Sequence, residues 1–256
     1  MRIEEYLDTL PKSIMTGQDV ELQEDALREI FEFASLDKDD VFYHLGCGNG
    51  RSLLIALEEF RVKKAVGIDN NDEKISSARK ILDNRFSNCI LKCEDVLESD
   101  ISDATVILFW FLDDLIVEKM AEKFSMLKKG CKIITIWGPL PGHLPDKVSF
   151  PYIMNKTPFK KANSLKEQIM AVFETDCIDF VTAWEFAERY SRAIASKNAE
   201  NDRFLTILQT LIIWINAKNL GMACGDDIPP PVRSYMGILK TYFNIETEHL
   251  LNHDTL

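Results

Sequence analysis

Hydrophobic and polar positions fall into two periods that alternate as far as about residue 150. Short apolar runs predict buried strands at Val41-Phe42-Tyr43-His44-Leu45, Ala65–Asp69, Asn88–Cys93, Ala104–Phe111 and Cys131–Trp137. Helical spacing predicts helices between them, at Arg51–Phe60, Glu73–Leu82 and Leu115–Leu127. A further helix over Val20–Phe33 precedes the first strand, with Leu22, Ala26, Leu27, Ile30 and Phe33 near one face. Residues 1–19 carry no clear pattern. Strands that alternate with helices predict an α/β fold with a Rossmann-like, doubly wound sheet.

Beyond that point the pattern changes. Lys147–Met154 reads as one more strand, without a clear partner to finish the sheet. Helices are predicted at Asn163–Phe173, Phe180–Ser196, Glu200–Leu220 and Val232–Phe243. The third is strongly apolar through Leu205, Leu208, Leu211, Ile212 and Ile215, and Pro231 suits the first turn of the fourth. The expected organisation is a ligand-binding α/β domain over 1–155 and a mostly helical region over 156–256. The latter would cap a substrate, cover the sheet or form a homodimer.

The stretch with the clearest chemistry follows the first strand: Leu45-Gly46-Cys47-Gly48-Asn49-Gly50. A turn between strand and helix that approaches a ligand needs glycine, because a side chain obstructs the backbone. The helix N-terminus behind it favours an anion. Arg51 stands where the dinucleotide fingerprint has its third glycine, so an NAD site is disfavoured. Asp69 ends the second strand and lies 21 positions after Gly48, a spacing that suits a carboxylate for two ribose hydroxyls. It would alternatively cap the next helix, though Asn71 or Asp72 also suits that role. After the third strand, Asp95 with the Val96 backbone N–H suits an adenine edge, unless Asp95 is only a solvated loop acid.

Composition narrows the partners. Of 256 residues 46% are hydrophobic, and the net charge is −11 with no evident basic patch. An acidic surface disfavours extended nucleic-acid binding; it suits a basic protein partner or, more simply, keeps a protein soluble. The six cysteines show no Cys-x-x-Cys spacing, which disfavours zinc; several lie in apolar strand-like runs, which suggests reduced, core-packed thiols. Phe204–Ala217 is too short to span a membrane, and no secretory leader is expected at the start. A soluble, cytoplasmic protein is the expectation.

The glycine turn, Asp69 and Asp95 together resemble the class I (seven-strand) S-adenosylmethionine-dependent methyltransferases over about residues 20–140. A closer likeness is to the non-SET protein-lysine methyltransferases and their small archaeal relatives. It is carried by Asp39–Tyr43, Gly46-Cys47-Gly48-Asn49-Gly50-Arg51, Val62–Asp69, Ile101–Val106 and Leu127-Lys128-Lys129-Gly130. The resemblance implies S-adenosylmethionine as cofactor and a cofactor set of His44, Gly46, Cys47, Gly48, Gly50, Asp69, Asn70, Asp95, Val96 and Phe109. It implies a methyltransferase acting on a protein or small-molecule substrate, with lysine N-methylation first. Trp110, Phe111 and Trp137 would form an aromatic mouth in which a lysine amine loses its proton, with Asp113 or Asp114 orienting it. Core packing is the competing role for both tryptophans. His143 would alternatively serve as a general base or be incidental.

There are departures from the family pattern. His44 replaces the usual acid before the glycine turn and cannot supply a fixed negative charge near neutral pH. Leu22-Gln23 stands where archaeal members carry Thr-Pro, and Asp113-Asp114 where they carry a Thr-Asn-like turn. The absence of an Asn-Pro-Pro-Tyr-like or Pro-Cys segment after the fourth strand disfavours adenine-amine, glutamine-amide and cytosine-C5 chemistry. Three readings stay open: a protein-lysine enzyme, a small-molecule methyltransferase, and a methyltransferase-like binding protein without turnover.

Overall fold

The computed structural model describes Arg2, Glu5 and residues 22–83, 85–111, 113–194 and 202–251. The unpatterned first residues, the start of the first predicted helix at Val20, and the segment between the second and third C-terminal helices lie outside them. The chain divides into two compact units, one over Glu21–Val172 and the other over Phe173–Leu256.

The first unit is built on a seven-stranded sheet in the order β3-β2-β1-β4-β5-β8-β7. Its strands are β1 (Val41–Leu45), β2 (Lys64–Asp69), β3 (Cys89–Cys93), β4 (Val106–Phe109), β5 (Lys132–Ile136), β7 (Lys147–Ser149) and β8 (Tyr152–Lys156). The first five are parallel. β1 lies between β2 and β4, so both its faces need cover. One face carries Tyr43, Leu45, Val66, Ile68, Ile107 and Phe109 against Met120, Ala121 and Phe124 of α4 (Asp114–Ser125). The other receives α1 (Glu24–Ala34), whose Phe31 meets Phe42 edge-on at 5.0 Å. Between these strands run α2 (Arg51–Glu58) and α3 (Asp72–Leu82).

The sheet is complete where one strand was expected. Lys147–Met154 is a hairpin: β7 and β8 pair antiparallel from Lys147↔Met154 to Ser149↔Tyr152, with Phe150-Pro151 at the turn. Pro151 has no N–H and a fixed φ, so a single extended strand breaks there. β8 then pairs antiparallel with β5, from Lys132↔Lys156 to Ile136↔Tyr152. The expected domain boundary at 155 therefore falls inside β8. The first unit continues through a short β6–β9 ladder (His143–Leu144 with Lys160–Lys161) and α5 (Leu165–Phe173) as far as Val172. Likewise α1 begins at Glu24, because Gln23 is extended at φ −64°, ψ 152°.

The second unit pairs α6 (Phe180–Ile194) with α7 (Asp202–Asn219) and adds α8 (Pro230–Phe243). α7 is buried almost all round, with Leu208, Leu211, Trp214 and Ile215 in the core. Its buried hydroxyl Thr210 Oγ1 donates to the Thr206 carbonyl at 2.7 Å. Cys177 and Cys224 form a disulfide beside a parallel bridge of Ile178 with Ala223. The expectation of reduced thiols thus fails for this pair. A sequence separation of 47 hid the contact that folding creates. Cys47 and Cys131 are buried free thiols. Among the described residues, no helix is long and apolar enough to cross a membrane.

Candidate active site

The carboxyl ends of β1, β2 and β4 converge on the glycine turn. Gly46, Gly48 and Gly50 all have positive φ, at 78°, 54° and 77°. The turn is tied to β2, as the N–H groups of Gly46 and Cys47 both donate to the Ile68 carbonyl at 2.8 and 3.0 Å. A Cβ at Gly50 would lie 2.8 Å from Leu82 and 3.0 Å from Ala78 of α3, so packing forbids a side chain there as well. A Cβ at Gly46 would stand 3.3 Å from Cζ of Phe111, whose ring covers the turn. Cys47 is buried, and desolvation raises its thiol well above the ordinary range, which leaves it un-ionised.

Asp69 is held rather than free. Oδ2 accepts the Gly48 N–H at 2.8 Å and Oδ1 accepts the Asn71 N–H at 2.9 Å. Each oxygen keeps a second lone pair, which is what two vicinal hydroxyls require. The helix-cap alternative is resolved separately: Asn71 caps α3, its side chain accepting from Lys74 N–H at 3.1 Å. Asn70 is exposed next to Asp69, and its carbonyl accepts from Cys93 Sγ at 3.9 Å.

His44 points to the α2 side, where Nδ1 lies 2.6 Å from Ser52 Oγ. Desolvation between β2 and β4 lowers it to about 4, against an opposing pull from Asp69. His44 is therefore neutral at pH 7. It offers a hydrogen bond where the family pattern places a charge.

The loop after β3 is an ordered platform. Asp95 Oδ1 accepts the Leu97 N–H at 2.8 Å, and Val96 packs into the core. The strongest tether is Lys123 of α4, whose Nζ donates to the carbonyls of Val96, Leu97 and Ser99 at 3.2, 3.0 and 2.5 Å. Desolvation lowers its pKa. No local pattern marks Lys123, because its partners sit 24 to 27 positions upstream.

The aromatic positions separate into roles. The Phe109 side chain is core, edge-on to Phe124 at 5.2 Å. Phe111 stacks on it at 4.8 Å and carries the aromatic surface to Gly46. Trp110 is half-buried, and its Nε1 is a buried donor without a partner among the described residues. Trp137 sits at φ 74°, donates its N–H to the Pro151 carbonyl at 2.8 Å and packs 5.5 Å from Phe150. It leans on the β7–β8 hairpin. Asp113 caps α4 through Oδ1, which accepts the Ile116 N–H at 3.0 Å.

The loop after β5 is pinned from α5. Buried Gln168 donates Nε2 to the carbonyls of Leu140 and His143 and accepts the Gly142 N–H. His143 stacks edge-on against Phe159 at 5.0 Å.

The residues fit S-adenosylmethionine: a turn with three positive-φ glycines at a helix N-terminus, a doubly anchored carboxylate 21 positions after Gly48, and an acid-bearing loop beyond β3. Fold and site together define a class I, S-adenosylmethionine-dependent methyltransferase. Residues 36–176, more than half of the chain, match the methyltransferase domain family, and the chain belongs to it. It is 34% identical over 131 residues to a protein-lysine N-methyltransferase of Saccharolobus islandicus (strain REY15A), covering 49% of this chain and 79% of that one. An RNA methyltransferase from Salinibacter ruber, solved with S-adenosyl-L-homocysteine, superposes with a TM-score of 0.52 at 24% identity, over 57% of this chain and 99% of that one. That likeness is one of fold.

Proposed function

We propose that the protein methylates lysine side chains of protein substrates. The observation that carries this reading is the set of groups at the end of β4. Phe111 covers the glycine turn, Trp110 holds a buried indole N–H without a partner among the described residues, and Asp113 has one carboxylate oxygen beyond its cap. The similarity to a protein-lysine N-methyltransferase supports it.

When bound, S-adenosylmethionine would supply an electrophilic methyl carbon for in-line attack by a nucleophile, the C–S bond breaking and S-adenosylhomocysteine leaving. The protein contributes alignment. Asp69 would fix the ribose, the glycine turn and neutral His44 the amino-acid end, and Asp95 with the Val96 N–H the adenine. Burial beside these rings would strip water from a lysine amine; that desolvation disfavours the charged form and promotes loss of its proton before transfer. Asp113 then orients the neutral amine by accepting a hydrogen bond from it.

The test is transfer of labelled methyl from S-adenosylmethionine to a mixed protein extract and, separately, to a filtered metabolite extract. Label recovered as methyl-lysine supports the reading. Label on metabolites alone replaces it with small-molecule methylation. Cofactor binding without transfer to either leaves a binding protein.

A further inference from the structure

The Phe173–Leu256 unit carries an aromatic surface that its own core does not use. Phe180 and Trp184 lie one turn apart on α6, and Tyr235 comes from α8. Their ring centroids are 6.4, 5.8 and 6.4 Å apart, and their planes lie within 37° of one another. All three are half-buried. The surface continues outward through Val181, Ile238 and Tyr242, which are 61%, 43% and 78% exposed. On α8, Tyr235, Ile238 and Tyr242 share one edge, beside the stripe of Val232, Met236 and Leu239 that packs inward. A contiguous exposed apolar surface of this kind marks an interaction site.

Its charge says what it fits. Phe173–Glu185 carries Glu174, Asp176, Asp179 and Glu185 and no lysine or arginine. Asp226 and Asp227 follow Cys224, and the Cys177–Cys224 bridge brings the two acidic runs together. All six carboxylates are exposed. Asp179 accepts the Thr182 N–H at 2.7 Å, which holds its pKa below the usual carboxylate range and keeps it charged. Asp226 is offset by Lys218, whose Nζ lies 3.8 Å from its Oδ1, and Arg233 directs Nε to the Ile228 carbonyl at 3.3 Å, which leaves the other five carboxylates as the excess charge. Asp179 and Glu185 directly adjoin Phe180 and Trp184 in the chain, so the aromatic faces carry an anionic border. A cation within about 6 Å of such a ring is attracted to its face, and the border concentrates cations there. A second copy of this chain is the poorer occupant, since a two-fold interface would set the acidic border against itself.

We propose that this surface docks a lysine-bearing, basic segment of the protein substrate, with side-chain ammonium groups over Phe180, Trp184 and Tyr235. The partner's identity rests on the lysine-methylation reading; the binding does not.

The experiment is a fluorescence-anisotropy titration of the full chain with a labelled oligolysine peptide, and with an oligoglutamate of equal length as control. Saturable binding of oligolysine alone is expected. Trp184→Leu and Tyr235→Leu should each weaken it about tenfold, while Trp184→Phe stays within about threefold of the parent. Unchanged affinity for S-adenosylmethionine in these variants verifies that the other unit is intact, and far-ultraviolet circular dichroism checks this one. Should the leucine variants misfold, Glu185→Gln with Asp227→Asn decides, since both side chains are exposed. Equal oligolysine affinity in the parent and the folded variants overturns the proposal. So does a dimer in sedimentation that Trp184→Leu dissociates, which assigns the surface to a second copy. Oligolysine binding through these rings without methyl transfer to lysine keeps the docking surface and sinks the lysine-methylation reading. Transfer that ignores the rings does the reverse.

Discussion

At the scale of single residues, Asp69 and His44 divide the electrostatics of the turn. Asp69 organises two backbone N–H groups and keeps lone pairs for a ligand. Asp69→Asn turns one acceptor into a donor that faces an N–H. Its affinity for S-adenosylmethionine should fall by at least about tenfold, read by calorimetric titration. His44 makes stability depend on pH. Its folded pKa of about 4 lies below the ordinary 6.5, so the unfolded chain takes up a proton that the folded one refuses. That stability is fully present above about pH 6.5 and is lost as pH falls toward 4. At pH 5 the loss should be roughly 1–2 kcal/mol relative to pH 7.5, measured by urea unfolding. His44→Gln should lack this increment, and an equal pH dependence in that variant would refute the assignment.

At the scale of elements, two loops are set by side chains from helices remote in sequence. Lys123 of α4 gathers three carbonyls of the Val96–Ser99 turn, and Gln168 of α5 satisfies three backbone groups of the loop after β5. Gln168→Leu keeps bulk but strands buried carbonyls, at a cost of about 2–4 kcal/mol. The expected outcome is faster amide exchange across residues 138–146 and lower turnover, with cofactor affinity unchanged. A cofactor affinity that falls in parallel would show that this loop serves the cofactor. Lys123→Met should weaken cofactor affinity instead, because the loop it tethers bears Asp95. The strands and most helices were legible from periodicity, and the caps from local chemistry. The β7–β8 hairpin was not, because a short run with one proline reads equally as an edge strand or a turn.

For the whole molecule, charge and covalent closure matter most. A net charge of −11 predicts that a basic protein substrate binds more weakly as salt rises. Its KM should climb several-fold between low and physiological ionic strength with kcat nearly constant; a salt-independent KM would argue against an electrostatic substrate surface. The Cys177–Cys224 bridge spans 47 residues, and closing such a loop stabilises the folded state by up to about 4 kcal/mol. Reduction should therefore lower the melting temperature of the Phe173–Leu256 unit. The glycine-turn site lies wholly in the other unit, so S-adenosylmethionine affinity should persist.

The sequence by itself determined the α/β class, the glycine turn and the acid 21 residues beyond it, because these are local: periodicity sets the elements, and spacing fixes which backbone a ligand meets. It also showed that His44 breaks the family pattern. Only the tertiary structure decided what depends on distant pairs. It closed the sheet with a hairpin and placed Phe111, rather than the Phe109 side chain, over Gly46. It assigned Lys123 and Gln168 to loops, paired Cys177 with Cys224, and gathered Phe180, Trp184 and Tyr235 on one surface. Such contacts join residues that no local pattern links, and packing alone selects among them.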